Sequence, residues 1–144
     1  MSIKRIEEIS CPACGQVQRM LVWSTVNAMD PAAAQLVRDQ RVNVFHCEQC
    51  GHEDFVDESL LFHDMEQRYC IQYVSRADMG SPGYYANISK RGTVILDPLS
   101  QRIVDRKGES YFNHPHFVFS MREMAAYIVF RDLCSEYGQE PAGN

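Results

Sequence analysis

Two short cysteine motifs constrain the fold of this chain more than any other feature. Each places two thiols two residues apart and follows them with glycine, in the segments Cys11-Pro12-Ala13-Cys14-Gly15 and Cys47-Glu48-Gln49-Cys50-Gly51. Glycine adopts the bend that lets backbone N–H groups face the sulfurs without a Cβ clash. Two such motifs, here called hooks, supply the four thiolates of a closed tetrahedral Zn²⁺ site. We therefore predict one structural zinc ion per chain, bound by Cys11, Cys14, Cys47 and Cys50.

A redox function of either hook is the alternative, because thioredoxin-like proteins also use a proline-containing Cys-x-x-Cys motif at a helix start. Cys11 instead precedes a strand-like run, and a second hook follows, which favours metal binding. Neither hook is followed directly by histidine, which argues against attachment of c-type haem. Four protein ligands leave no position for a water molecule, so we do not expect hydrolytic zinc chemistry.

Composition and charge limit the compartment and the partners. The N-terminal residues lack the apolar region of a signal peptide, and no apolar run approaches the roughly 18 residues of a membrane helix. We expect a cytoplasmic location, where paired thiols indicate metal or redox chemistry rather than disulfides. The formal net charge is −5, with 6 positive and 11 negative residues in 1–74 and 8 of each in 75–144. This acidic zinc half argues against nucleic-acid binding, which usually needs a basic face.

The first half of the chain predicts a zinc ribbon with a short helix inserted in its loop. Four strands are predicted, at residues 16–24, 41–46, 53–57 and 69–74, the last of them central in a sheet. Asp30 is a good N-cap and Pro31 suits the first helical position, so a helix should end near residue 40. Residues 60–65 are apolar and then abruptly polar, which predicts a turn or a short helix.

The second half predicts a boundary loop followed by a β-hairpin and a helix. Residues 75–92 are rich in glycine, proline and serine and predict a loop. Residues 93–105 predict a hairpin, because Asp97 and Pro98 suit the first two positions of a type I turn. We expect a zinc ribbon over 1–74, the loop or linker over 75–92, and a unit of 93–144 packed on the ribbon.

The clearest helix is the last element. Ser120 and Glu123 fit a capping box, which predicts a helix from Met121 to residue 136 or 137 with Gly138 as its stop. The face predicted to pack on the sheet consists of Met121, Met124, Ala125, Ile128 and Leu133.

This helix has a second apolar stripe, and a chain with one predicted sheet has few other residues that could cover that stripe. It contains Tyr127, Phe130 and Cys134, spaced three and four residues apart. Because an exposed apolar patch usually marks an interface, we predict a two-fold dimer or docking of another protein through Tyr127 and Phe130. The alternative is that the 75–92 loop covers the stripe with Tyr84 and Tyr85.

The two hooks and the segments around them resemble the CpXC domain family, prokaryotic proteins named for twin Cys-Pro-x-Cys hooks. The resemblance covers about residues 8–74, and Glu48 stands where the second hook of the family usually has proline. Besides the hooks it includes Trp23, Val26-Asn27-Ala28, Asp30-Pro31 and Leu61-Phe62-His63-Asp64-Met65. The resemblance implies a zinc-ribbon-like module and brings no activity with it.

The remaining histidines and basic residues leave other functions open. His46 and His52 flank the second hook, and we expect both to point away from the metal. An enzyme or enzyme subunit would have its site between the ribbon and the 75–92 loop, using His63, His114 or His116. A nucleic-acid reader would use the basic set Lys90, Arg91, Arg102, Arg106 and Lys107. Cys70 and Cys134 are expected to be small core side chains.

Together these patterns predict an α+β fold: a zinc ribbon with an inserted short helix, then a β-hairpin and a long C-terminal helix packed on the sheet. The favoured function is a non-catalytic, zinc-stabilised interaction or adaptor module of a prokaryotic cytoplasm. The sequence contains no nucleophile elbow and no phosphate-binding loop that would indicate an enzyme.

Overall fold

The computed structural model describes residues 2–141 of the chain. The strands are β1 (Ile3–Ser10), β2 (Val17–Asn27), β3 (Val44–His46), β4 (Glu53–Phe55), β5 (Leu60–Asp64), β6 (Tyr69–Tyr73) and β7 (His116–Val118). The α-helices are α1 (Pro31–Arg38), α2 (Arg76–Met79), α3 (Pro98–Lys107) and α4 (Met121–Tyr137). Two 3₁₀ turns occupy Pro82–Asn87 and Ser110–Asn113. The fold is α+β, as predicted.

Five strands form one mixed sheet in the order β1-β2-β5-β6-β7, and β3 pairs with β4 in a separate two-stranded sheet. β6 lies between β5 and β7, so its predicted interior position is confirmed. The turn or short helix predicted at residues 60–65 is wrong, because this segment is strand β5. The segment is apolar because both faces of this strand are buried. Leu60 and Phe62 lie in the core, and His63 is buried on the opposite face.

Helices and loops cover both faces of the large sheet. On one face, α1 and α4 contribute Ala33, Val37, Met124 and Ile128 to the core around Phe62. On the other face, Leu61 and Gln72 of the sheet line a cavity together with Val94, Val104 and Phe112. The sheet is therefore the middle layer, and the segment from the first to the second 3₁₀ turn covers the face that α1 and α4 leave open.

Two of the predicted helix starts are confirmed by their caps. The Asp30 side chain accepts a hydrogen bond from the Ala33 N–H at the start of α1, with Pro31 in the first turn. Ser120 Oγ accepts from the Glu123 N–H at the start of α4. The returning Glu123 carboxylate accepts from the Phe119 N–H, one residue before the N-cap.

The hairpin predicted over residues 93–105 is wrong, because most of this segment forms α3. Asp97 accepts a hydrogen bond from the Ser100 N–H, Pro98 occupies the first turn, and Gly108 ends the helix with a φ of 66°. Aspartate followed by proline suits both a type I turn and a helix start, so the dipeptide alone does not distinguish them. The 75–92 segment contains α2 and the first 3₁₀ turn.

The predicted packing of α4 is partly wrong. Met124, Ala125 and Ile128 are buried, but the Leu133 side chain is 50% exposed and Cys134 is exposed. Leu133 follows Met124 by nine residues, which at 3.6 residues per turn places it on the opposite side of the helix. Cys70 is buried as predicted. None of the helices in the part of the chain that the structure describes is long and apolar enough to cross a membrane.

Candidate metal centre

The two hooks fold into the same turn. In the first, the Gly15 N–H donates to the Cys11 carbonyl at 2.8 Å; in the second, the Gly51 N–H donates to the Cys47 carbonyl at 2.9 Å. Both glycines have a φ of 78°, in the left-handed region that other residues avoid. A further bond closes each turn, from Cys11 N–H to the Gln16 carbonyl and from Cys47 N–H to the His52 carbonyl. Each hook therefore presents its two sulfurs in the same way.

The hooks face each other and bring the four predicted cysteines together. Their Sγ atoms all lie within 4.8 Å of one another. Cys11 and Cys50 are 3.6 Å apart at sulfur, and Cys14 and Cys47 are 3.5 Å apart. A tetrahedron of sulfurs about 2.3 Å from a central Zn²⁺ has edges of about 3.8 Å, so this cluster fits a tetrahedral metal. Cys11 and Cys47, the first cysteine of each hook, are buried, whereas Cys14 and Cys50 face solvent.

The thiols have unequal pKa values. Backbone N–H groups of Cys50 and Gln49 point at the Cys47 sulfur, and they lower the pKa of that thiol to about 6. At Cys14 the Gln16 N–H acts to lower the pKa, but desolvation and the neighbouring sulfurs outweigh it and raise the pKa to about 12. Four thiolates this close repel one another, so a cation at their centre is needed to hold all four deprotonated.

A side chain that sequence reasoning missed joins the two hooks. Gln18, on β2 just after the first hook, donates from Nε2 to the His46 carbonyl at 2.7 Å. Its Oε1 accepts from the Glu48 N–H of the second hook at 3.0 Å. The Gln18 amide therefore bonds the backbone on both sides of Cys47. Its partners are about 30 residues away in sequence, so no local pattern indicates this role.

The histidines beside the second hook do not join the cluster. His46 Nδ1 lies 3.1 Å from a Glu53 carboxylate oxygen, and Arg41 binds the same carboxylate with two nitrogens at 3.0 Å. Hydrogen bonds from Arg41 and then His46 lower the pKa of Glu53 to about 2. His52 contributes its backbone carbonyl to the turn.

Comparison with models of known protein families shows which family the chain belongs to. A family model described as CpXC protein matches residues 9–134. The chain belongs to the CpXC family. The match includes α2, α3 and most of α4, and so extends well past the resemblance over residues 8–74. No curated protein and no solved structure shows a significant match to this CpXC chain.

The three histidines of the enzyme hypothesis lie apart from the predicted site. A cleft of about 580 Å³ does lie between the β3–β4 sheet and α2, lined by residues that include Phe55, Tyr73 and Arg76, but none of the three histidines lines it. His63 is only 5% exposed and packs on the Phe112 ring. His116 stacks on Tyr127 with ring centroids 4.0 Å apart, and His114 is exposed.

The basic set lies on the surface, but not on the predicted hairpin. Arg102, Arg106 and Lys107 belong to α3, whereas Lys90 and Arg91 precede it in a turn. All five are exposed.

The second stripe of α4 is open to solvent at two of its three predicted residues, Phe130 and Cys134, and partly covered at the third. Phe130 is 57% exposed, while Tyr127 is half-buried against His116 and Tyr69. Tyr84 and Tyr85 line a separate cavity with Phe117, so the alternative, in which the 75–92 segment covers the stripe, is wrong. Leu133 and Tyr137 add further exposed apolar surface.

Proposed function

We propose that this CpXC chain is a non-catalytic interaction module of a prokaryotic cytoplasm, stabilised by one structural Zn²⁺. The observation that supports it most is the convergence of four thiols, two from each hook, within 4.8 Å. A cluster with four sulfur ligands is the closed set typical of structural zinc and leaves the ion no position for a reacting water. A reducing cytoplasm keeps such thiols available for a metal.

The metal would connect the two hooks, which share only a small buried core among the described residues. Behind the hooks, Phe45 joins Cys11 and Cys47 in a small buried cluster, with Ile9, Met20 and Val56 packed beside it. So small a core cannot stabilise the ribbon by itself. Removing the ion with a chelator should therefore unfold the hooks together with β3 and β4, while the sheet core around Phe62 persists.

The proposed docking surface is an α4 face made of Ala126, Phe130, Leu133 and Tyr137, here called the α4 stripe. The four residues are exposed and lie opposite the buried face of the helix. Their spacing of four, three and four residues is that of a helix-pairing seam. This spacing supports docking of an apolar helix of a partner protein in a helix-to-helix contact.

Exchange of Phe130 for glutamate tests the docking surface. Because Phe130 is exposed, Phe130→Glu should leave a folded, zinc-loaded protein that has lost its partner in co-purification from the native host. Leu99→Glu is the matched control, since Leu99 is an exposed apolar residue of α3. Loss of the same partner in both variants, or retention in both, contradicts the assignment to α4. A homodimer of the pure protein that depends on Phe130 would identify the occupant as a second copy.

A further inference from the structure

The strand β1 is an open edge of the large sheet. It runs over eight residues and pairs only with β2 among the residues that the structure describes. Every one of its side chains is exposed or half-buried, and Ile6 at its centre is 63% exposed. A long edge strand with free backbone N–H and C=O groups is a template for pairing with another strand.

The sequence of β1 is self-complementary in charge. Together with Ser2 it reads Ser2-Ile3-Lys4-Arg5-Ile6-Glu7-Glu8-Ile9-Ser10. Two positive residues precede the central Ile6, two negative residues follow it, and an isoleucine and a serine stand at each flank. When such a strand meets an antiparallel copy of itself, with Ile6 on the two-fold axis, unlike charges are opposed throughout. The opposed pairs are Ile6 with Ile6, Arg5 with Glu7, Lys4 with Glu8, Ile3 with Ile9, and Ser2 with Ser10.

Other registers lose this match. A shift of one residue opposes Lys4 to Glu7, or Arg5 to Glu8, and sets the remaining charges against isoleucine. A shift of two residues sets Arg5 against Arg5 or Glu7 against Glu7. Parallel pairing in register opposes every charge to its own kind. Since opposite charges across strands attract and like charges repel, the antiparallel register centred on Ile6 is favoured: it makes four opposite-charge pairs, and every other register of the strand, in either direction, makes about two or fewer.

We propose that two copies of this chain associate through antiparallel pairing of β1 with β1, in the register centred on Ile6. The interface is isologous, as a two-fold dimer requires. It joins two five-stranded sheets edge to edge, so that the two sheets become one continuous sheet. This proposal goes beyond the zinc-stabilised module and does not depend on the α4 stripe. It moves the self-association predicted from the sequence to a different surface.

The contacts that β1 makes within its own chain leave its charged side chains available. Arg5 bonds Glu7 at 2.7 Å and Glu58 at 3.1 Å. The three side chains are between 32% and 44% exposed. Lys4 lies over the Trp23 ring with its Nζ 4.8 Å from the centroid. Exposed ion pairs are weak, so the Arg5–Glu7 pair can exchange partners with its copy across the interface at little cost.

Charged residues on an edge strand also have a protective role in many sheets, where they prevent pairing. A protective edge needs no particular order of signs. The palindromic order in β1 is what distinguishes attraction from protection, and the experiment below separates the two by reversing the signs.

Two double variants test the register. One carries Lys4→Glu with Arg5→Glu, which makes all four charges negative; the other carries Glu7→Lys with Glu8→Lys, which makes them all positive. Sedimentation of the wild-type protein should show a dimer, and each double variant alone should have a dimer Kd raised by roughly a hundredfold. An equimolar mixture of the two should recover the dimer as a heterodimer. A chain with all four exchanges should again form a homodimer, because its pattern is complementary once more.

The matched control is Arg106→Glu with Lys107→Glu on α3, which changes the net charge as the first double variant does and should leave the dimer intact. Circular dichroism shows whether each variant is folded. A wild-type protein that stays monomeric up to about 1 mM overturns the proposal. So does a dimer that survives in both double variants. A dimer lost in Phe130→Glu but kept in the β1 variants overturns it as well, and places the contact on the α4 stripe instead.

Discussion

The side chain of Asn43 joins the small β3–β4 sheet to the large sheet, and its removal gives a sharp prediction. Asn43 is 3% exposed and has a φ of 57°. Its Oδ1 accepts from the Trp23 N–H at 2.7 Å, and its Nδ2 donates to the Trp23 carbonyl at 2.9 Å. The amide thus takes the place of a strand neighbour beside β2. Asn43→Gly tolerates the left-handed backbone but leaves both Trp23 groups buried without a partner.

Each buried group left unpaired costs about 1–3 kcal/mol, so Asn43→Gly should lower the free energy of unfolding by about 2–6 kcal/mol. Asn43→Ala should lose about 1 kcal/mol more, because alanine disfavours a positive φ. Urea unfolding followed by the fluorescence of the single tryptophan, Trp23, and by circular dichroism measures both. A loss below about 0.5 kcal/mol in Asn43→Gly, well under the cost of one unpaired group, would refute the bridging role.

Two further predictions concern the hooks and the buried histidine. Gln18→Ala should weaken zinc binding about tenfold in a competition assay with a chelator, since mutation of a group that supports the ligands of a metal site typically costs at least that much affinity. The control is Gln16→Ala, because the Gln16 side chain bonds the Val17 carbonyl at 3.5 Å and does not reach the second hook within the described residues. Burial lowers the pKa of His63, and the negative charges of Glu109 and Asp64 offset only part of this shift. The unfolded state therefore binds the proton more readily than the folded state. Stability should therefore rise with pH from the folded pKa to about 6.5 and be lost as pH falls below about 6.5, and His63→Phe should flatten this part of the pH profile of the unfolding free energy.

The sequence predicts those features that depend on neighbours in the chain. The hooks need only a Cys-x-x-Cys-Gly segment to form their turns, and the caps at Asp30 and Ser120 act on N–H groups three residues later. Because these signals are local, both hooks and both helix starts are where the sequence places them.

Features that depend on distant partners are not predictable in this way. Asn43 and Gln18 bond backbone groups 20 and about 30 residues away, and nothing in their surroundings in sequence marks them. The segment around Asp97 shows the other limit. Its aspartate and proline suit a turn and a helix equally, and the outcome depends on the cover that α3 gives to the sheet through Val104.

The stripes of α4 show a third limit. Seven consecutive apolar residues, 124–130, predict that more than one side of the helix is apolar, but not which side meets the sheet. The structure selects Met124 and Ile128 for the core and leaves Phe130 outside. The choice depends on how α4 docks beside α1, where Arg38 pairs with Asp132 at 2.6 Å.

The zinc content of purified cysteine variants tests the central claim most directly. Structural zinc contributes about 10–16 kcal/mol of apparent binding free energy in small modules, as much as the whole stability of a typical domain, about 5–15 kcal/mol. Elemental analysis should find one zinc per chain in the wild-type protein and in Cys70→Ser, whose thiol is buried away from the cluster. Cys11→Ser and Cys47→Ser should lose the zinc and the folded ribbon. Wild-type protein that binds no metal, or Cys11→Ser that keeps a full equivalent, would contradict the account.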